Sequence, residues 1–195
     1  MKNTTKRNIM KRGKSGRFAK WLMLGAVLLG FVAPLAVAGP EQDTELAVKE
    51  FNRGDLVVSM ALWRKAASEG YAPAQVWLGD ILDKSEEDKE AVDWYRKAAA
   101  QGNAAGEYGL GHMYAKGEGV KKDLTEARVH ILRAAEKNYL PAVTMMMEAS
   151  RTGGLGGTRD MAQADAWEAK LVELSPTYKK APASTPEKTK KANSK

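Results

Sequence analysis

The chain has 195 residues and no cysteine, which excludes disulfide scaffolds, thiolate metal sites, thiol catalysis and a lipid-modified N-terminal cysteine. Its formal net charge of +7 comes from the two ends of the chain. Residues 1–38 carry eight basic and no acidic residues, and residues 175–195 carry six lysines and one glutamate. Residues 39–174, in contrast, carry 17 basic and 23 acidic residues. Because the middle of the chain is acidic and has no basic stripe to hold phosphates, we expect no nucleic-acid partner.

The first 38 residues are typical of an export signal. A basic segment precedes an uncharged, mainly apolar stretch at residues 21–38, and Ala36-Val37-Ala38 supplies the small-x-small pattern that signal peptidase reads. We therefore expect cleavage between Ala38 and Gly39, membrane contact only before cleavage, and a periplasmic or secreted protein. An uncleaved anchor is the alternative, because the apolar stretch just reaches the length that spans a membrane.

The rest of the chain contains internal repeats. The sequence WYRKAA at residues 94–99 has a counterpart 32 residues earlier, LWRKAA, and another 36 residues later, where RAA ends at Ala135. The pair Leu78-Gly79 recurs as Leu110-Gly111. A period of this length fits two short helices and two turns. It predicts an all-α fold, an α-solenoid of about four antiparallel helix pairs over residues 39–174.

Eight helices are predicted from apolar residues at helical spacing and from capping signals. Asp123 and Asp160 each stand three residues before an acid or amide, which is the spacing of a capping box. Gly70, Gly102 and Asn138 follow the second helix of a pair, where a left-handed residue commonly ends a helix. No segment alternates with a period of two, so no sheet is expected. The expected helices cover residues 43–52, 55–69, 72–83, 86–101, 104–116, 123–137, 140–152 and 160–174.

One repeat carries a recognisable motif. From Leu110 to Ala127 the chain reads LGxxYxxGxGVxxDxxxA, and it is preceded by WYRKAA and by QGN at residues 101–103. Together these motifs resemble the Sel-one-like repeat, a relative of the tetratricopeptide repeat, over roughly residues 45–174. The resemblance implies a right-handed superhelix whose surfaces hold other proteins together, often in bacterial envelopes and secretion systems. Its motif residues pack or turn, so the resemblance implies no cofactor and no catalytic residue.

Candidate partner-binding residues follow from helix geometry. If Leu78, Leu110 and Met146 point into the core, the residues two before, two after and five after each of them point away from it. In a solenoid these first-helix positions line up along the concave face. The positions are Val76, Asp80, Asp83, Tyr108, His112, Ala115, Thr144, Glu148 and Arg151. Such a mixture suits a protein or peptide partner, and a merely solvated face is the alternative.

Other residues with chemical potential have ordinary explanations. His112 and His130 are the only histidines, and neither has further ligands at metal-site spacing, so structural or surface roles and no metal are expected. The glycine-rich residues 153–157 follow a helix instead of a strand, which predicts a loosened repeat turn and not a phosphate loop. Of the methionines at residues 145–147, at least Met146 is expected in the core.

The sequence therefore predicts an exported, non-enzymatic scaffold that binds another envelope protein along its concave face. The alternative is a cell-wall-directed enzyme or ligand binder acting on muropeptides or β-lactams, although the relatives that point to β-lactams are rich in cysteine and this chain has none. Residues 175–195 are expected to form a disordered basic tail, because they cannot bury enough apolar surface to fold. This tail would contact anionic lipid weakly at most.

Overall fold

The computed structural model describes residues 39–178, which form eight helices joined by turns and loops and contain no strand. This arrangement confirms the all-α helical repeat fold. The helices are α1 (Pro40–Asn52), α2 (Leu56–Ser68), α3 (Ala72–Lys84), α4 (Asp88–Ala100), α5 (Ala104–Lys116), α6 (Leu124–Glu136), α7 (Leu140–Thr152) and α8 (Met161–Leu174). None of these eight helices is long and apolar enough to cross a membrane. The predicted signal and most of the predicted tail lie outside the described residues.

The helices pack as four consecutive pairs. Each odd-numbered helix, the first of its pair, packs most extensively against the helix that follows it. In addition, α1 packs closely against α3, and α3 against α5, whereas no comparable approach joins α2 to α4, α4 to α6 or α5 to α7 within the described residues. Helices α2 and α4 are linked instead by an ion pair of 2.7 Å between Arg64 and Glu90. In the first three pairs, the first helices therefore approach one another more closely than the second helices do.

Glycines in the first helices make room for Tyr95 of α4. A Cβ atom at Gly79 would lie 2.7 Å from the ring of Tyr95, and a Cβ atom at Gly109 would lie 2.5 Å from it. The tyrosine is 3% exposed, and its hydroxyl donates a hydrogen bond of 2.6 Å to Oδ1 of Asp80. The helices of neighbouring pairs thus close around an aromatic side chain that any larger residue at these glycines would displace.

The core consists of two clusters of buried side chains. The first extends from α1 to α5 and includes Trp63, whose ring stacks on that of Trp77 with centroids 5.2 Å apart. The second joins α6, α7 and α8 and contains Met146, which is 1% exposed and so confirms the prediction for this residue. Tyr178 packs against the second cluster. The packed body therefore continues past Leu174, where the predicted solenoid ended.

Most helix ends agree with the prediction, and the exceptions have local causes. Helix α1 begins at Pro40 instead of residue 43, because a proline at the first helical position needs no hydrogen-bond acceptor for its nitrogen. Helix α4 begins at Asp88 instead of residue 86, because Glu86 adopts a left-handed conformation with φ of 61°. Positive φ angles at Gly102 and Asn138 confirm the predicted ends of α4 and α6.

Only half of each predicted capping box forms. Oδ1 of Asp123 accepts hydrogen bonds from the backbone N–H groups of Thr125 and Glu126, as an N-cap should. The backbone N–H of Asp123 donates to the carbonyl of Tyr114 in the preceding helix, not to the side chain of Glu126. The backbone N–H of Asp160 donates in the same way to the carbonyl of Ser150 in α7. Asp123 and Asp160 therefore each cap their own helix and also tie it to the previous one.

Candidate functional site

The nine predicted partner-binding positions lie on one side of the first helices. Leu78, Leu110 and Met146 are buried, as the helix geometry required. We call the nine positions the first-helix face. Thr144 and Glu148 are exposed and the other seven are half-buried: Val76, Asp80, Asp83, Tyr108, His112, Ala115 and Arg151.

A groove between α5 and α7 brings three of these residues together. Its lining consists of Tyr108, Pro141, Thr144, Met145 and Glu148, and it encloses about 390 Å³ in a shallow, open form. Tyr108, Pro141 and Met145 provide apolar walls, while Thr144 and Glu148 add a hydroxyl and a carboxylate. We call this the α5–α7 groove. An apolar wall with a few polar groups is the usual chemistry of a binding cleft.

Tyr108 is also part of an aromatic cluster. Its ring centroid lies 5.4 Å from that of Tyr139 and 6.1 Å from that of His112. Burial raises the pKa of Tyr108, and burial together with the nearby charge of Asp80 raises the pKa of Tyr139. Both phenols therefore stay protonated and can donate hydrogen bonds. Tyr139 was not among the predicted residues, although the equivalent residue before α3, Tyr71, is also a tyrosine.

Asp80 is a half-buried carboxylate fixed by a structural partner. Burial raises its pKa, and the hydrogen bond from Tyr95 and the charge of Lys84 oppose that shift. Burial of Tyr95 likewise raises the pKa of its phenol, and the charge of Asp80 adds to that rise. The hydrogen bond from Tyr95 fixes Asp80 against the core. It occupies only one carboxylate oxygen, so the other oxygen still presents negative charge to the first-helix face.

Arg151 and Asp83 lie at the far ends of α7 and α3 and do not line the α5–α7 groove. An ion pair of 3.1 Å joins Arg151 to the buried carboxylate of Glu168 on α8. This contact ties the last helix pair together, so Arg151 has a structural role. Val76 and Ala115 are half-buried and also lie outside the lining of this groove.

His130 has a structural environment. Its Nδ1 lies 2.6 Å from Oε2 of Glu107, which is 6% exposed, and its ring stacks on that of Tyr114 at 5.7 Å. These contacts join α5 to α6 inside one pair. Across residues 39–178, no group of three histidine, aspartate or glutamate side chains is placed to hold a metal ion.

A second groove lies between α1 and α3 and was missed by the helix-geometry argument. Its lining is Glu41, Thr44, Glu45, Val48, Lys49, Tyr71 and Trp77, and its volume is also about 390 Å³. We call it the α1–α3 groove. The prediction started from core residues of α3, α5 and α7, so it contained no residue of α1. Its positions are the fifth, ninth and twelfth of each helix, and the same count from Pro40 gives Thr44, Val48 and Phe51, of which the first two line this groove.

The comparisons with known proteins agree with this architecture. The family model described as Sel1 repeat matches residues 53–71, 72–103 and 104–139. A Sel1 repeat protein from Oxalobacter formigenes is 28% identical, with a TM-score of 0.61 over 70% of this chain and 41% of its own. A protective antigen present in uropathogenic Escherichia coli strains, which displays an SLR fold, is 34% identical, with a TM-score of 0.63 over 70% of this chain and 31% of its own.

This chain therefore spans less than half the length of each of these two solved relatives. No curated protein matches it. Sel1 repeats generally serve as scaffolds for protein interaction and are typically not enzymes. On the three matched repeats and the shared helical fold, the chain belongs to the Sel1 repeat family.

Proposed function

We propose that this protein is an exported, non-enzymatic scaffold that holds a protein or peptide partner of the bacterial envelope on its first-helix face. The observation that carries the proposal is the α5–α7 groove, where Tyr108, Thr144 and Glu148 from two successive repeats line one cleft. Partially exposed aromatic residues beside polar groups are characteristic of surfaces that bind proteins.

The packing of the helices supports this face as the concave one. Helix α1 packs against α3, and α3 packs against α5, while the second helices α2, α4 and α6 are farther apart. A stack that is tighter on one side curves toward that side, so this packing in the first three pairs supports the first-helix face as the inner surface. The α1–α3 groove and the α5–α7 groove then lie along the same surface and offer an extended partner two separate cavities.

The environments of the histidines support a non-enzymatic role. His130 is committed to Glu107 and Tyr114, and His112 stacks on Tyr108. A histidine that acts as a general base needs a nucleophile within hydrogen-bond reach. Neither contact supplies one. Purified protein that turned over muropeptides or hydrolysed a β-lactam would contradict this part of the proposal.

Export is proposed from the sequence of residues 1–38. Small residues at positions 36 and 38 follow an apolar stretch, as cleavage by signal peptidase requires. Mass spectrometry of the protein recovered from its own cells should give a mature chain that begins at Gly39, in the periplasmic or culture fraction. An intact N-terminus in the cytoplasmic fraction would contradict export.

The partner surface can be tested by blocking the groove. The Thr144→Arg substitution places a long side chain where the groove wall is exposed, while Thr158→Arg makes the same change in the loop between α7 and α8. Affinity capture of the tagged protein from its own cells should recover a specific partner with the wild type and with Thr158→Arg, and lose it with Thr144→Arg. Equal recovery with all three proteins would place the partner elsewhere.

A further inference from the structure

We propose that the occupant of the α5–α7 groove is a cationic peptide segment of the partner, with a lysine or arginine side chain lying over Tyr108 beside the carboxylate of Glu148 and attracted also by the charge of Asp80. This inference rests on the proposed function and adds the chemistry of the partner. Three features carry it, namely the shape of the groove, the fixed carboxylate of Asp80 and the charge of the face.

The groove has the chemistry that a long cationic side chain needs. Tyr108, Pro141 and Met145 form apolar walls, and Glu148 stands at the exposed side. Lysine and arginine bury their aliphatic stems against apolar surface and keep the charged end at a polar group. The ring of Tyr108 also attracts a cation placed over its face. A neutral side chain would gain from the walls alone, and an acidic one would also face unfavourable charge.

Asp80 and Glu148 occupy equivalent positions of α3 and α7, and the equivalent position of α5 belongs to His112, whose ring stacks on Tyr108. Asp80 does not line the α5–α7 groove, but its charge acts on Tyr139, whose ring lies 5.4 Å from that of Tyr108. The hydroxyl of Tyr95 holds Asp80 in place before any ligand arrives. A carboxylate that is already ordered loses little conformational entropy on binding, so more of its attraction for a cation contributes to affinity.

The charge of the surface favours a basic partner over an acidic one. Carboxylates along the first helices are those of Asp80, Asp83 and Glu148, together with Glu41 and Glu45 of the α1–α3 groove. Four basic residues lie near them, of which two are paired: Arg151 with Glu168, and Lys116 at the end of α5 with Glu118. The other two are Lys84, which ends α3, and Lys49, which lies at the distant groove. Complementary charge of this kind speeds association and excludes partners of the wrong sign.

The basic tail of this same chain is the competing occupant. Residues 179–195 contain six lysines and one glutamate, and they follow Tyr178, whose hydroxyl lies 3.9 Å from the sulfur of Met147 on α7. However, these residues include no large apolar side chain that could fill the walls formed by Tyr108 and Met145. A partner segment that combines a basic residue with an apolar neighbour fits the groove better.

The test begins with selection from a library of random peptides on the full-length protein. Selected sequences should be enriched in lysine or arginine next to an apolar residue. Labelled peptides from this selection should bind about threefold to tenfold more weakly when their lysines are acetylated or when Asp80→Asn and Glu148→Gln are combined. The exposed Glu148 contributes little by itself, whereas the half-buried Asp80 contributes more.

The substitutions are chosen so that the fold survives them. The Asp80→Asn change keeps a side-chain oxygen that accepts the hydrogen bond from Tyr95, so it removes the charge and leaves the contact. The matched control, Asp93→Asn with Glu136→Gln, removes two carboxylates from exposed positions of second helices. This control pair should bind the selected peptides like the wild type.

Any of the following outcomes would overturn the inference. Selection of neutral peptides, or equal binding by acetylated peptides, would show an apolar groove without charge preference, and selection of acidic peptides would show the opposite preference. Equal weakening by the control pair would show attraction to the whole domain instead of this site. A much tighter affinity after deletion of residues 179–195 would identify the tail as the occupant. If a partner contacts the first-helix face while the charge preference is absent, this inference fails and the proposed function stands. If no partner contacts that face, the proposed function fails.

Discussion

A methyl group added at Gly109 tests the packing on which the repeat stack depends. The new Cβ of Gly109→Ala would lie 2.5 Å from Cδ1 and Cε1 of Tyr95, well inside van der Waals contact. The same edge of the ring is close to Gly79, and the hydroxyl is bound to Asp80, so the ring has little room to retreat. Overpacking of this kind costs about 2–3 kcal/mol. Alanine recovers up to about 1 kcal/mol through its better helix propensity. We expect a net loss of about 1–2 kcal/mol in the free energy of unfolding, measured by urea denaturation followed by circular dichroism.

The double variant with Tyr95→Val separates the clash from other effects. Valine lacks the ring atoms that the new methyl group would meet, so in this background Gly109→Ala should stabilise the protein by about 0.5–1 kcal/mol through helix propensity alone. The reversal of sign gives a coupling energy of about 2 kcal/mol between the two positions. If Gly109→Ala has the same effect with tyrosine or valine at position 95, or leaves the wild type unchanged, the reasoning about this contact is refuted.

Three further changes test the site and the caps. Burial raises the pKa of Asp80 above 3.8, so the folded protein binds the proton of this carboxyl group more tightly than the unfolded chain does. The contribution of Asp80 to stability therefore falls as the pH rises from 3.8 through the folded pKa. The free energy of unfolding of Asp80→Asn, relative to the wild type, should therefore increase over that range in denaturation curves, and a constant or decreasing difference would contradict the shift. His130→Ala leaves the buried carboxylate of Glu107 without its imidazole and should cost about 2–3 kcal/mol in urea unfolding; a loss below about 0.5 kcal/mol would show that the pair is replaced by water at no cost. Asp123→Ala removes an acceptor of two backbone N–H groups and should lower the unfolding free energy by about 1 kcal/mol, whereas the solvent-exposed control Thr158→Ala should change it little.

Local signals in the sequence were sufficient for the helices and their order. The repeat period, the Leu-Gly pairs and the cap residues each depend on contacts within about one helix pair. For example, Asp123 and Asn138 take the conformations that their positions predicted. The half-formed capping boxes were beyond this reasoning. Whether the N–H of Asp160 donates to a nearby glutamine or to Ser150 depends on where the preceding helix lies.

The sequence predicted which side of the first helices carries the candidate site, but it did not predict the groove between α5 and α7. Helix geometry selected Tyr108, Thr144 and Glu148, because they avoid the core, and the structure places them around one groove. The same reasoning could not find Tyr139, which lies before a helix and reaches Tyr108 through the packing of α5 against the start of α7. Nor could it show that Asp80, at the equivalent position of α3, is held by Tyr95. That contact depends on how α4 packs against α3 of the same pair and α5 of the next, where Gly79 and Gly109 leave room for the ring.

Site-specific photo-crosslinking in living cells tests the central claim most directly. A photoreactive amino acid is placed at Val76 or Thr144 on the first-helix face and, in matched strains, at Ala61 or Arg133 on exposed surfaces of second helices. The scaffold account predicts one protein adduct of the same mass from both first-helix positions and none from the second-helix positions. The same adduct from the second-helix positions, with none from Val76 and Thr144, would contradict it.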